Sequence, residues 1–151
     1  MNLQLEQIQG YLAHGLMIKY YSDRLTIIGE FDLCDLEYCL NNSKPILRKL
    51  DLTKLITVNG VEIIPIVELA KISYPDKIWY FERNNCYSEC GLYFYFDYKN
   101  FYCMGINNPL SVYNQLQLFK WLYANKFDVE GLIDAGLAID ADTLETNPYN
   151  S

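Results

Sequence analysis

Three groups of residues in this chain have types and spacings that chemistry can use. The first is a pair of carboxylates, Asp140 and Asp142, with Asp134 and Glu145 close in sequence. A D-x-D pair can contribute to a divalent-cation site, or divide into general acid and base in a metal-dependent hydrolase. The same two residues at the start of a helical turn would simply cap it. The second group is the thiols. Cys34 and Cys39 lie five apart and Cys86 and Cys90 four apart, with Cys103 on its own. Structural zinc asks for two tighter C-x₂-C knuckles or for histidine partners, and the single histidine is His14. These cysteines read as reduced thiols, in the core or in loops, and neither a metal nor a cofactor is expected. His14 is also the only imidazole for a Cys–His or Ser–His couple, and it sits beside Gly15 in an expected turn. No nucleophile elbow, H-E-x-x-H or phosphate-cradling loop occurs, so no catalytic residue is assigned.

The third group is tyrosine. In Leu92–Asp97 the period of two sends Leu92, Phe94 and Phe96 to one face and Tyr93, Tyr95 and Asp97 to the other. With Tyr80 and Tyr102 on neighbouring strands, the second set would make a flat aromatic platform. Such platforms stack single-stranded bases, but normally among lysines and arginines. Tyrosine is equally suited to protein interfaces, where it buries area at low entropic cost and keeps a polar tip. Its plainest role is to pair across strands on a solvated sheet face.

Composition frames these options. The chain has 151 residues, 51% of them hydrophobic and 15% aromatic, with 14 tyrosines against 7 phenylalanines and 2 tryptophans. That excludes disorder and suits one domain over 1–151, with 146–151 frayed. The net charge is −7, and it is uneven. Six acids and no base fall between Asp128 and Glu145, whereas the basic counterpart, Lys44, Arg48, Lys49 and Lys54, is sparse. This balance disfavours nucleic acid and suits a basic partner or a solvated end. No apolar run approaches the about 20 residues of a membrane span, and residues 1–10 lack a signal-peptide pattern. An odd number of cysteines, 5, points to a reducing cytoplasm.

The elements that would position these groups can be read in outline. Residues 3–13 predict a short helix, weakened by Gly10. Leu16–Tyr21 and Arg24–Glu30 predict a hairpin around Ser22-Asp23, and residues 31–44 stay unassigned. Asn59-Gly60 marks a type I′ turn between strands 55–58 and 61–64, with a helix over 66–72. Strands follow at Lys77–Glu82, Leu92–Asp97 and Phe101–Gly105, with Arg83–Gly91 as an exposed loop. Asn108 and Pro109 predict the start of a helix running to about Lys126, with Val112, Leu116, Phe119 and Tyr123 on its buried face. Asp128 would cap a second short helix that Gly136 stops. The fold class is α+β: a mostly antiparallel sheet of hairpins with a C-terminal amphipathic helix packed on it.

Two stretches also carry a resemblance. One is Lys44-Pro45-Ile46-Leu47-Arg48-Lys49-Leu50, continuing through Asp51-Leu52-Thr53-Lys54 to Asn59-Gly60 and Ile64-Pro65-Ile66. The other runs from Phe127-Asp128-Val129-Glu130-Gly131-Leu132-Ile133 through Gly136-Leu137-Ala138-Ile139-Asp140 to Thr143-Leu144. In this order they resemble a family of small uncharacterised proteins encoded by phages and prophages of gut Bacteroidetes-type bacteria. Tyr11-Leu12, Gly15-Leu16 and Leu25-Thr26-Ile27 fit the same pattern; Arg83–Met104 does not. The resemblance implies a bacterial cytoplasm or a virion as setting, and no activity. Each motif also has a structural reading, in which Pro45 bends the chain, Ile46 and Leu47 bury, and Lys44 and Arg48 stay in water. Val129, Leu132, Ile133, Leu137 and Ile139 would pack.

The expectation is a non-enzymatic accessory protein that binds a phage or host protein, or a second copy of itself. Its contact surface would be Tyr93 and Tyr95, with Tyr80 and Tyr102, or the acidic segment 128–145 around Asp140 and Asp142. The alternatives are a single-stranded nucleic-acid binder using the tyrosines and a hydrolase using the two aspartates.

Overall fold

The computed structural model describes residues 2–21 and 26–150. In chain order these form α1 (Leu5–Leu12), β1 (Met17–Tyr21), β2 (Thr26–Glu30), a 3-10 turn (Leu33–Asp35), α2 (Leu36–Asn42) and β3 (Ser43–Leu47). Next come β4 (Ile56–Val58), β5 (Val61–Ile63), α3 (Pro65–Ser73), β6 (Trp79–Glu82), β7 (Asn85–Ser88) and β8 (Tyr93–Phe96). The chain ends with β9 (Phe101–Met104), β10 (Pro109–Leu110), α4 (Gln115–Ala124) and β11 (Ile139–Asp140). This is an α+β fold of mostly antiparallel strands, as the pattern of hairpins predicts. The Ser22-Asp23 turn lies outside the described residues.

The chain divides into two compact units, one comprising Met1–Leu50 and Leu122–Tyr149 and the other centred on Asp51–Trp121. The first holds a sheet of order β11-β3-β1-β2, in which only the β11–β3 pair is parallel. Its core gathers Ile8, Tyr11, Leu16, Ile18, Leu47 and Leu132, all fully buried. Pro45 lies inside β3, not at a bend. It stands opposite Ile18, whose backbone turns towards β2, so the missing N–H costs this ladder nothing.

Tyr149 closes the next rung of that ladder. Its hydroxyl donates to the Ile46 carbonyl (2.7 Å) and accepts from the Met17 N–H (3.0 Å). Its own carbonyl accepts from Arg48 Nη2 at 2.8 Å, and its ring lies under the Arg48 and Lys126 cations. The expected fraying therefore does not extend to Tyr149, and Arg48 is not in water but 6% exposed. The physical reason is backbone pairing. Arg48 N–H donates to the Lys126 carbonyl (2.7 Å) and its carbonyl accepts from Asp128 N–H (2.8 Å), which draws the residue inside.

Two helix expectations need correction. Asn108 and Pro109 do not start α4; Pro109 and Leu110 form the short edge strand β10 against β9. The helix begins at Gln115, with the Asn114 carbonyl accepting from Leu118 N–H. Its phase shifts accordingly: Leu118 and Leu122 are buried, and Leu116 is 69% exposed. It ends in a Schellman motif, with Phe127 N–H on the Leu122 carbonyl, Lys126 N–H on Tyr123 and Lys126 at φ 61. The predicted helix after Asp128 is a series of turns instead. Asp128 still caps it, accepting from Leu132 N–H (2.7 Å) and Ile133 N–H (2.8 Å). Left-handed Gly131 and Gly136 interrupt any longer helix.

Gly10 sits inside α1 because a neighbour needs the space. A Cβ there would come within 2.7 Å of the Tyr123 ring. That ring is pinned, since the Tyr123 hydroxyl donates to the Glu130 carboxylate and the ring meets Tyr11 edge-on at 4.9 Å. Gly10→Ala, which should gain about 1 kcal/mol of helix propensity, is expected to lower stability by about 1–2 kcal/mol through overpacking. Urea denaturation of the two proteins measures this directly. Tyr149→Phe leaves the Ile46 carbonyl and Met17 N–H without their partner, and should cost about 1–3 kcal/mol by the same measurement.

Candidate functional site: a tyrosine face on the five-stranded sheet

The sheet of order β10-β9-β8-β7-β6 is antiparallel throughout and built from tight connections. Between β6 and β7 the turn is Arg83-Asn84, with both residues at positive φ (52 and 62), the geometry of a type I′ turn. The segment read as an exposed loop, Arg83–Gly91, thus contains the strand β7. No glycine announces the turn, and Asn84 with Arg83 takes the left-handed positions instead. Between β7 and β8, Leu92 N–H donates to Ser88 Oγ (3.0 Å) and Gly91 sits at φ 82. Between β8 and β9 the Asp97 carboxylate accepts from Lys99 N–H (2.9 Å) and Asn100 N–H (2.7 Å). Those amides hold the Asp97 carboxyl below its usual pKa, with a smaller contribution from Tyr102. Asp97 therefore builds the turn instead of extending the strand face.

These turns set the register, and the register sorts the side chains. Trp79, Cys86, Ser88, Phe94, Phe101 and Cys103 are buried on one face. There Phe94 and Phe101 stack at 6.0 Å, and Phe119 of α4 meets Phe101 edge-on at 5.6 Å and Phe96 at 6.0 Å. Gln115 fixes the helix start by clasping Phe101 through both its backbone groups, at 2.8 and 2.7 Å. The helix does pack on the sheet, as expected.

The opposite face carries the tyrosines. Cross-strand partners are Tyr80 with Tyr87, Tyr87 with Tyr93, and Tyr95 with Tyr102. Ring centroids follow at 5.3 Å (Tyr87–Tyr93), 5.1 Å (Tyr93–Tyr95) and 5.2 Å (Tyr95–Tyr102), the last two stacked. Tyr80, Tyr87 and Tyr102 are exposed and Tyr93 and Tyr95 half-buried under their neighbours. Burial raises the Tyr93 pKa, with further contributions from Tyr87 and Tyr95, and its hydroxyl donates to Asn85 Oδ1 at 3.1 Å. The structure thus brings the four tyrosines named from sequence onto one surface. It adds Tyr87, the link between Tyr80 and the rest, hidden in sequence inside the supposed loop. The strand residues of this face include Glu82 and Asn85 and no lysine or arginine.

The other candidates do structural work. Asp140 and Asp142 belong to the first unit, where Asp140 Oδ1 accepts from Asp142 N–H (3.0 Å) and caps a 3-10 turn. Asp142 Oδ1 accepts from Asn147 Nδ2 at 3.0 Å. Among the described residues no group of three or more His, Cys, Asp or Glu side chains is placed to hold a metal ion. Cys39, Cys86 and Cys103 are buried and Cys34 and Cys90 exposed. Among the described residues no helix is long and apolar enough to cross a membrane. No protein-family model, curated protein or solved structure matches this chain.

The underside of the tyrosine face gives a pH signature. Burial pushes the Cys86 thiol from 9.0 up to about 12, with the neighbouring Cys103 adding to the shift. The folded state then holds a proton that the unfolded state releases, so stability is whole below about pH 9 and falls as pH rises towards about 12. Burial likewise pushes Tyr74 up to about 12, adding to the same fall from its ordinary value of 10.0. Cys86→Ala is expected to flatten the alkaline slope of stability, read from urea unfolding across a pH series.

Proposed function

We propose that this protein is a non-enzymatic accessory protein of phage or prophage origin that works in the bacterial host by docking a partner protein on its tyrosine face. The observation that carries the reading is the row of five exposed or half-buried tyrosines, Tyr80, Tyr87, Tyr93, Tyr95 and Tyr102, across four strands. Rings already stacked on one another are held nearly rigid, so a partner meets an apolar surface with little side-chain entropy left to lose. Their hydroxyls offer donors and acceptors around it. Glu82 and the absence of basic residues on these strands favour a protein over a phosphate backbone. The phage setting rests on the sequence resemblance alone.

The test compares capture of a partner from bacterial host lysate by the wild type and by Tyr95→Ala, whose ring touches both Tyr93 and Tyr102. Circular dichroism controls for the fold. Capture is expected to weaken at least about tenfold, the loss typical of truncating an aromatic anchor. Retained capture would reject the face as the contact surface. A poly-dT oligonucleotide is expected to stay unbound at low salt; binding there that Tyr93→Ala abolishes would replace this reading with single-stranded nucleic-acid recognition.

A further inference from the structure

One end of the first unit's sheet is β2, and among the described residues no strand pairs with its outer edge. Leu16 and Phe31 exchange a ladder bond, Phe31 N–H to the Leu16 carbonyl at 2.9 Å. Antiparallel alternation then makes Ile18/Gly29 and Tyr20/Ile27 the bonded pairs between β1 and β2. The N–H and C=O groups of Thr26, Ile28 and Glu30 consequently point away from β1. Four of its five residues are exposed, with Ile27 at 55% and Ile28 at 42%, and Gly29 is half-buried. Natural edges are usually blunted by proline, lysine or a bulge. β10, one of the two edges of the five-stranded sheet, has Pro109, whereas β2 (Thr26-Ile27-Ile28-Gly29-Glu30) has no proline, no lysine and an unbroken register.

We infer that β2 pairs with β2 of a second copy of this chain, antiparallel about a two-fold axis at Ile28. The edge is self-complementary in that register. Ile28 meets Ile28, and Thr26 meets Glu30 of the second copy, so all three outward-facing residues exchange backbone bonds. Sliding by two residues loses one of those three. Ile27 falls beside Gly29 of the second copy, where there is no side chain to collide with. Charge agrees with the register: each Glu30 faces a threonine and not its own image, and lies one row from the Lys19 that pairs with Ile28 across β1. The two copies would join their sheets into one, an isologous contact of the kind a closed dimer requires. On the Lys19 and Ile28 side lies an open groove of about 530 Å³, walled by Thr143 and Glu145, which leaves room for the second copy's Ile28. This inference is independent of the tyrosine face.

Sedimentation equilibrium over a wide concentration range decides it. The wild type is expected to rise from 17.7 kDa towards twice that mass. Ile28→Pro removes an N–H that β1 does not use, and Ile28→Lys sets two cations face to face; each should abolish the dimer with the circular dichroism spectrum kept. Tyr95→Ala should leave it intact. A wild type that stays monomeric at high micromolar concentration overturns the inference and leaves the edge to a strand from a different chain. A dimer that both folded Ile28 variants retain overturns it too, since its interface then lies elsewhere.

Discussion

The first unit depends on segment 43–48 being hydrogen-bonded on both sides. β3 takes β1 on one flank and the parallel β11 on the other, and the ladder is prolonged at Arg48, which bridges to Phe127. Both faces of this strand are covered as well as both edges: Ile46 and Leu47 are fully buried and Arg48 nearly so. Burying a guanidinium is unfavourable unless its surroundings answer it. Burial lowers the Arg48 pKa, and the Asp142 carboxylate works against that shift. The Tyr149 carbonyl accepts from Arg48 Nη2, and the Tyr149 ring lies under the guanidinium. The turns around Asp128 and Asp140 and the position of Tyr149 follow from this strand having to be enclosed.

The same logic divides the aromatic residues by job. Phenylalanine fills the dry side of the five-stranded sheet, where no polar tip can be satisfied, as with Phe94 and Phe101. Tyrosine occupies the wet side. Two further tyrosines, the buried Tyr11 and the half-buried Tyr149, are turned inward for their hydroxyls. Tyr11 donates to the Phe127 carbonyl (2.7 Å) and accepts from Val129 N–H (3.1 Å), much as Tyr149 does at Ile46 and Met17. Each repairs a place where backbone ladders run out, and burial raises the pKa of both. A high tyrosine content is therefore partly a structural solution, and the group from Tyr80 to Tyr102 is the part of it that the sheet gathers onto one face.

What the sequence showed depended on whether a local signal existed. The Asn59-Gly60 hairpin was legible because both residues announce positive φ, and the helix expected over 66–72 is α3, which begins one residue earlier at Pro65. Alternation gave the correct faces for Tyr93–Phe96, because that strand is amphipathic with a period of two, while Asp97 was drawn into the turn. The failures share a cause. The turn at Arg83-Asn84 uses two left-handed non-glycine residues, which composition does not reveal. Asn108-Pro109 has the look of a helix start, yet pairing with β9 outweighs a cap worth about 1 kcal/mol. Arg48 looked like a surface cation because its burial is decided by residues some 80 to 100 positions away, Phe127 and Tyr149.

The acidic segment illustrates how contacts change the meaning of charge. Read as a string, Asp128 to Glu145 is a run of negative charge that could attract a basic partner. In the fold, Asp128 is 7% exposed and its two oxygens serve separate backbone amides. Burial raises its pKa and the Ile133 and Leu132 amides oppose that shift, which marks a carboxylate committed inward. Glu130 accepts from Tyr123, Asp140 caps its own turn, and Asp142 answers Asn147 and Arg48. A carboxylate already serving the backbone offers a partner less than its formal charge suggests, because recruiting it would break an existing bond. That removes most of the reason to look for binding there. Of the surfaces the sequence put forward, the tyrosine face is the one whose side chains are positioned by the fold yet not used up by it.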